Sequence, residues 1–197
     1  MENAISDKET FKFINTFAPW LSAIGTIAAV WVAIYFARQD KRLRIDVSAG
    51  HRLIVTPGQK GPHPEYLVIH IVNIGHREAQ ITNIGWKVGF FKNQRQYAIQ
   101  VTEPNGLSSP LPVCLRDGEQ ANYYIPLGGE RKWLEGFIKD FYKHHTKSRV
   151  KYTKIQVSTS VGKTFESTIE KGLQKIILER IEKERSIEQA DSVPPTS

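Results

Sequence analysis

Hydrophobic and polar positions along this chain follow three different patterns. The first is the run Phe17 to Ala37, FAPWLSAIGTIAAVWVAIYFA, which has no charged residue and no Asn or Gln. As a helix rising about 1.5 Å per residue it would be about 31 Å long, the thickness of a bilayer core. A helix satisfies its own backbone donors and acceptors, so the run predicts a single transmembrane helix over 17–37. Trp20 and Tyr35 fall near its two ends, where amphipathic rings favour the lipid boundary. A cleaved secretory signal fits poorly. The first 16 residues carry Glu2, Asp7 and Glu9 against Lys8 and Lys12, and a cut after Ala37 would put Tyr35 at the −3 position. A buried helix of a soluble protein is seldom this long without one polar face.

Residues 1–16 form a short segment with two open readings. Ser6 and Glu9 have the S-x-x-E spacing of a capping box, with Phe11, Ile14 and Phe17 following at helical spacing, which suggests a helix in the lipid interface. Alternatively the terminus frays and the helix starts at Thr16, with Pro19 in its first turn. Within the span, Gly25, Ala29, Ala33 and Ala37 fall four apart and leave one face small enough for a second helix to approach, a candidate self-association face.

The second pattern begins at Leu43. Leu43, Ile45 and Val47 alternate with Arg44, Asp46 and Ser48, the period of a strand. After a Pro and Gly-rich loop, Tyr66 to Val72 is nearly all apolar and β-branched, as in a central strand covered on both faces. Asn73-Ile-Gly-His76 predicts a turn. Ala79 to Phe90 predicts a strand with Ile84, Trp86, Val88 and Phe90 on one face, and Ile81 out of phase with them predicts a bulge near Asn83. Tyr97 to Val101, Ala121 to Ile125 and Val150 to Val161 complete the strands, with a hairpin turn at Val161-Gly162.

The third pattern is helical. Trp133, Leu134, Phe137, Ile138 and Phe141 form one apolar stripe, an amphipathic helix inserted at about 130–143. Ile169, Leu173, Ile176, Ile177 and Ile181 predict a C-terminal amphipathic helix over 168–185, and the polar residues 186–197 predict a disordered tail. Many short strands with turn signals between them predict a mainly β domain over 43–167, an antiparallel, immunoglobulin-like sandwich with Trp86 in its core. The Cys pair that brackets a Trp in antibody domains is absent.

A basic-flanked span followed by Val72-Asn-Ile-Gly75, Gly85-Trp-Lys-Val-Gly89, Leu111-Pro112, Asp117-Gly-Glu-Gln-Ala121 and Thr159-Ser-Val-Gly-Lys-Thr-Phe165 resembles a set of small bacterial single-pass membrane proteins of unassigned function. That resemblance covers most of the chain and implies a bacterial membrane protein with a β-sandwich-like soluble domain. Its motifs are structural, and it carries over no catalytic residue.

Charge orients the picture. There are 27 Lys and Arg against 20 Asp and Glu, and the densest basic cluster, Arg38, Lys41, Arg42 and Arg44, directly follows the span. Basic flanks resist translocation, so the cell (inner) membrane is expected, with the C-terminal domain cytoplasmic. A lone Cys114 fits a reducing compartment, and beside Leu115 it reads as a buried small hydrophobe.

Motifs for chemistry are weak. Gly162-Lys163-Thr164 ends like a phosphate-binding loop, but position 157 is Val where the loop needs Gly, and a strand follows where it needs a helix. His144-His145 diverge by about 100° on a helix and do not suit one metal ion. No cofactor, metal or catalytic residue is expected. The sheet edges of the sandwich are an expected contact surface, and two local regions stand beside them. One is the turn with Asn73, Gly75 and Arg77. The other is the basic stretch 143–154, with Lys147, Arg149 and Lys151 and interleaved tyrosines, which reads as a solvated strand face, an anionic-lipid surface or, less favoured, a nucleic-acid grip. The expected function is that of a membrane-anchored, non-enzymatic interaction or scaffolding protein. Its expected partners are the bilayer and an unknown protein or a second copy associating through the span.

Overall fold

The computed structural model describes residues 2–40, 42–55, 57–58, 60–102, 106–128, 133–142 and 147–191. The chain forms two compact units, Met1–Arg42 and Leu43–Ser197.

The first unit is one helix, α1 (Glu2–Asp40). It replaces both sequence readings of the N-terminus. Ser6 lies inside the helix, not at its cap, and Pro19 is an interior residue. Pro19 has no N–H to offer the carbonyl of Asn15, yet the helix continues through it. Carrying one lost bond costs less than nucleating a new helix on the far side. Pro19–Arg38 is long and apolar enough to cross a membrane by length and composition, and none of it is buried against protein.

The second unit is mainly antiparallel sheet. In chain order it contains β1 (Ile45–Leu53), β2 (Glu65–Asn73), β3 (Ala79–Val88), β4 (Gln96–Ile99), β5 (Val113–Leu115), β6 (Gln120–Pro126), α2 (Trp133–Phe141), α3 (Lys147–Lys151), β7 (Lys154–Thr159), β8 (Thr164–Thr168) and α4 (Lys171–Asp191). One sheet has the order β1-β2-β6. The other runs β4-β3-β7-β8, with β5 also paired to β3. Period-two patterning puts Val47 and Ala49, Leu67, Ile69 and Ile71, and Ala121 and Tyr123 inward from the first sheet. Ile81, Ile84, Trp86, Val88, Ile155 and Val157 face inward from the second, in the same core. Among the described residues, every residue of that core lies at or after Leu43. At roughly 1.5–3 kcal/mol for each large side chain fully buried, this shared interior is the main favourable term in folding.

Several expectations change in detail. β2 is covered on one face only, since Val68, His70 and Val72 are half-buried while Leu67, Ile69 and Ile71 are sealed. The register of β3 against β7 shifts between Ile81 and Asn83, which is the bulge that lets Ile81 and Ile84 both point inward. Phe90 is past the end of β3 and exposed. Residues 147–151, expected to adjoin or begin a strand, form the short helix α3, and β7 starts only at Lys154. Cys114 is exposed on β5. The hairpin at Val161-Gly162 is present, with Gly162 at φ +76°.

α4 lies against β1, α2 and α3 through Leu173, Ile177 and Ile181, all buried at helical spacing. Arg52 grips Glu170, just before it, through two bonds of 2.7 and 2.8 Å. That contact holds the Glu170 carboxyl below the usual range and raises the guanidinium. Further along, Arg180 pairs with Glu135 of α2. α4 runs on to Asp191, so the polar stretch from Ser186 is helix where a tail was expected. Glu, Gln and Ala are good helix formers once a helix is already nucleated. Residues 192–197 lie outside the described residues.

Candidate functional site

The sequence-predicted site residues separate into three groups. Along α1, Gly25, Ala29, Ala33 and Ala37 share a face and are exposed, with open space beside Gly25. Phe17, Trp20 and Tyr35 are exposed too, as are the basic Arg38, Arg42 and Arg44, while Lys41 lies outside the described residues. With all these side chains uncovered, α1 presents a long exposed apolar surface.

At the turn after β2, Asn73 is fully buried. Its Nδ2 donates to the carbonyls of Arg77 (2.8 Å) and Leu115 (2.9 Å), and its Oδ1 accepts from Gly75 N–H (3.0 Å). Asn73 therefore organises the turn and ties it to β5. Gly75 is buried as well, and of the three only Arg77 faces solvent.

In the basic stretch, Arg149 is half-buried and acts as a rivet. Its guanidinium donates to the carbonyls of Phe141 (2.9 Å) and Gln94 (2.9 Å) and to Gln96 Oε1 (3.2 Å), joining α3 to the end of α2 and to the β3–β4 turn. Lys151 is exposed. The Lys147 side chain and residues 143–146, including His144 and His145, lie outside the described residues. Lys163, from the false phosphate loop, donates to the Leu43 carbonyl (3.0 Å) and lies over the Phe165 ring. Among the described residues no group of three or more His, Cys, Asp or Glu is placed to hold a metal.

Among the sheet edges expected as contacts, the sequence did not single out β4, which lies at the edge of the second sheet. β3 and β4 approach closely because Gly85 lacks a side chain. A Cβ there would stand 2.7 Å from the Ala98 carbonyl oxygen. Gln100 N–H bonds to the Ile84 carbonyl, and by alternation along the ladder Ala98 also bonds toward β3. Tyr97 and Ile99 consequently turn their backbone N–H and C=O groups to the outer edge, and their side chains are 60% and 68% exposed. Beside this edge runs a groove of about 700 Å³ between β4, β6 and α2, lined by Tyr66, Trp86, Tyr124, Trp133, Phe137 and Phe141 among others.

The floor of the groove is held by one polar clamp. Gln100 Oε1 accepts both indole N–H groups, Trp86 at 2.8 Å and Trp133 at 3.2 Å, while its Nε2 donates to the Val101 carbonyl. Trp133 stacks on Phe137 at 4.8 Å, and Trp86 meets Phe137 at 5.1 Å. At the other end of α2 the Tyr142 hydroxyl is buried against Thr153 Oγ1, and burial pushes its pKa up to about 12, so it stays neutral at physiological pH. The groove is thus a preformed, apolar, aromatic surface with few charges. The one sequence signal for it was the absence of charge from Gln96 to Thr102 in a chain that is 24% charged.

No protein family matches this chain, and no curated protein matches it. Among solved structures it is similar to a Bordetella pertussis protein provisionally named ApaA, at 18% identity over 66% of this chain and 91% of that one, with a TM-score of 0.30. It is also similar to the structural-genomics target SoR45, at 12% identity over 66% of this chain and 84% of that one, with a TM-score of 0.27. Both are uncharacterised structural-genomics proteins, and at these scores the likeness carries no argument about what this chain binds.

Proposed function

We propose that this chain is a membrane-anchored, non-enzymatic interaction protein. In this reading α1 is a single span of the cell (inner) membrane, the domain after it is cytoplasmic, and that domain is an immunoglobulin-like sandwich that takes a protein segment along β4. The strand order supports the sandwich. With β1 to β8 named A, B, C, C′, D, E, F and G, the sheets read A-B-E and C′-C-F-G, an immunoglobulin-like arrangement save that the short D pairs with C where the immunoglobulin D pairs with E. The uncharged run of α1 and the basic residues after it support the anchor and its orientation.

The observation that carries the contact is the state of the sheet edges. β6 is covered by the 108–109 segment, where Ser109 N–H bonds to Asn122 O and Ser108 Oγ accepts from Tyr124 N–H. β1 and β8 lie beside each other, and Glu170 N–H bonds to Ala49 O. β4 has no backbone partner on its outer side among the described residues, and no charge, proline or bulge guards it. Unguarded edges beside apolar grooves accept an extended strand from a partner, by main-chain bonding plus side-chain pockets.

The test is a photo-crosslinking residue at Tyr97 in the full-length protein in its native membrane. One reproducible protein adduct, to a partner or to a second copy, is expected, and it should be lost with Ile99→Lys and kept with Thr164→Lys at the β8 edge. An adduct insensitive to Ile99→Lys would reject β4 as the contact. A C-terminal reporter active only outside the cytoplasm would reject the orientation.

A further inference from the structure

We infer that the tip of the β3–β4 hairpin and the adjoining end of α3 form a docking surface for an anionic lipid bilayer, separate from the β4 edge. Phe90 and Phe91 protrude at this tip and are 55% and 65% exposed. They meet edge to face with centroids 5.1 Å apart, and Phe90 packs at 4.6 Å against Tyr152, just after α3. Three rings from two distant segments thereby make one uncovered apolar cluster. Exposed Lys92 and Arg95 lie on the same turn, and exposed Lys151 lies next to Tyr152.

The two segments that build the cluster carry charge of one sign. There is no Asp or Glu from Ala79 to Thr102, and none from Phe141 to Phe165. Glu166, paired across the sheet with the base of the tip, is taken up by Lys87, Lys154 and Gln156. The tip is also held in place. Gly89 turns the chain at φ +111°, where a Cβ would stand 2.6 Å from the Gln94 carbonyl oxygen, and Arg149 bonds that same carbonyl to α3. Arg149 is thus a positioning residue, and Arg95 both faces solvent and braces the turn through its Nε bond to the Phe90 carbonyl (3.3 Å), while the contact is left to the rings, Lys92, Lys151 and the outer face of Arg95.

Shape selects the partner. Single-stranded nucleic acid is gripped in a basic groove that follows its backbone. Among the described residues, three grooves of this domain lie away from the tip, lined by Pro62 to Tyr66 with α4, by β4 with α2, and by Ser48 with Asn122. A convex tip of Phe side chains ringed by Lys and Arg suits a fluid interface, where the rings enter the acyl boundary and the cations meet anionic headgroups.

The test uses the domain Leu43–Asp191, whose core has no α1 residue, and sedimentation with phosphatidylcholine vesicles with and without phosphatidylglycerol. Binding only to the anionic vesicles is expected, falling about fivefold for each of Lys92→Ala, Arg95→Ala and Lys151→Ala and weakening with salt. Phe90→Ser with Phe91→Ser should abolish retention while far-UV circular dichroism stays unchanged. In the full-length chain with Cys114→Ser, a polarity-sensitive dye on Phe91→Cys should shift to the blue in anionic bilayers and not in neutral ones. Equal binding to neutral vesicles, indifference to these substitutions, or a Phe91-dependent preference for a single-stranded oligonucleotide over anionic vesicles would each overturn the inference.

Discussion

Replacing Gln100 by Leu should destabilise the domain through two side chains it does not itself contain. Gln100 Oε1 is the acceptor for both Trp86 and Trp133, and Trp86 is only 2% exposed, so its indole N–H has no route to water. A buried donor left without a partner costs about 1–3 kcal/mol, and Gln100→Leu strands that of Trp86 fully and that of the half-buried Trp133 in part. Trp86→Phe loses ring volume in a packed site, about 1–3 kcal/mol, but removes the donor along with the ring. The double variant therefore avoids the stranded N–H, and its loss should fall short of the sum of the single losses by about 1–2 kcal/mol. The assay is urea unfolding of Leu43–Asp191 followed by far-UV circular dichroism, which does not depend on the tryptophans being replaced. With a slope of about 2 kcal/mol per molar urea, the coupling appears as a midpoint difference of about 0.5–1 M. Strict additivity would mean that the clamp carries no net stability and that the groove floor is held by ring packing alone.

Two further outcomes follow from buried polar contacts. Asn73→Ala removes two bonds to carbonyls and one from a buried N–H, so a loss of about 2–4 kcal/mol in the same urea assay is expected, and a loss under about 0.5 kcal/mol would return Asn73 to the surface. At Glu166, burial pushes the carboxyl pKa up, but Lys87, Gln156 and Lys154 together outweigh it and hold the pKa below the ordinary 4.5. A depressed folded-state pKa contributes stability that is present above pH 4.5 and lost as pH falls through the folded value. Glu166→Gln should accordingly flatten the decline of the urea midpoint below pH 4.5, and identical pH slopes for the two proteins would refute the role of those contacts.

Where burial is one-sided, it was legible in the order of the residues. The alternation in β1, β3 and β6, the bulge at Ile81 and Asn83, the core position of Trp86 and the stripes of α2 and α4 all report a face turned away from water. Elements too short for a period were not legible. β5 has three residues, and α3 has five with only Val150 sealed, so the β-branched and aromatic residues of 150–152 suggested a strand. Alternation places Phe90 inside and residue type places Cys114 inside, but β3 ends at Val88 before Phe90, and Cys114 lies on the outer face of β5 beside buried Leu115.

The contact surface was harder to read, because polar residues reveal their roles only through distant partners. Asn73 reaches Leu115, 42 residues away, and Arg149 reaches Gln94 and Gln96 across 55 and 53. In sequence, Arg149 is one of a row of cations, but in the fold it holds α2, α3 and the β3–β4 turn together. An alanine scan that removes Lys147, Arg149 and Lys151 together would therefore lose binding whether or not the stretch touches any ligand, because the rivet goes with the exposed charge. The separable set is Lys151 with Lys92, which are exposed and spatially joined by the Phe90–Tyr152 contact although 59 residues apart in the chain, whereas Arg95 also bonds the Phe90 carbonyl. A loss confined to that set, with the urea midpoint unchanged, is a loss of contact; a loss seen only with Arg149→Ala, accompanied by a lower midpoint, is a loss of structure.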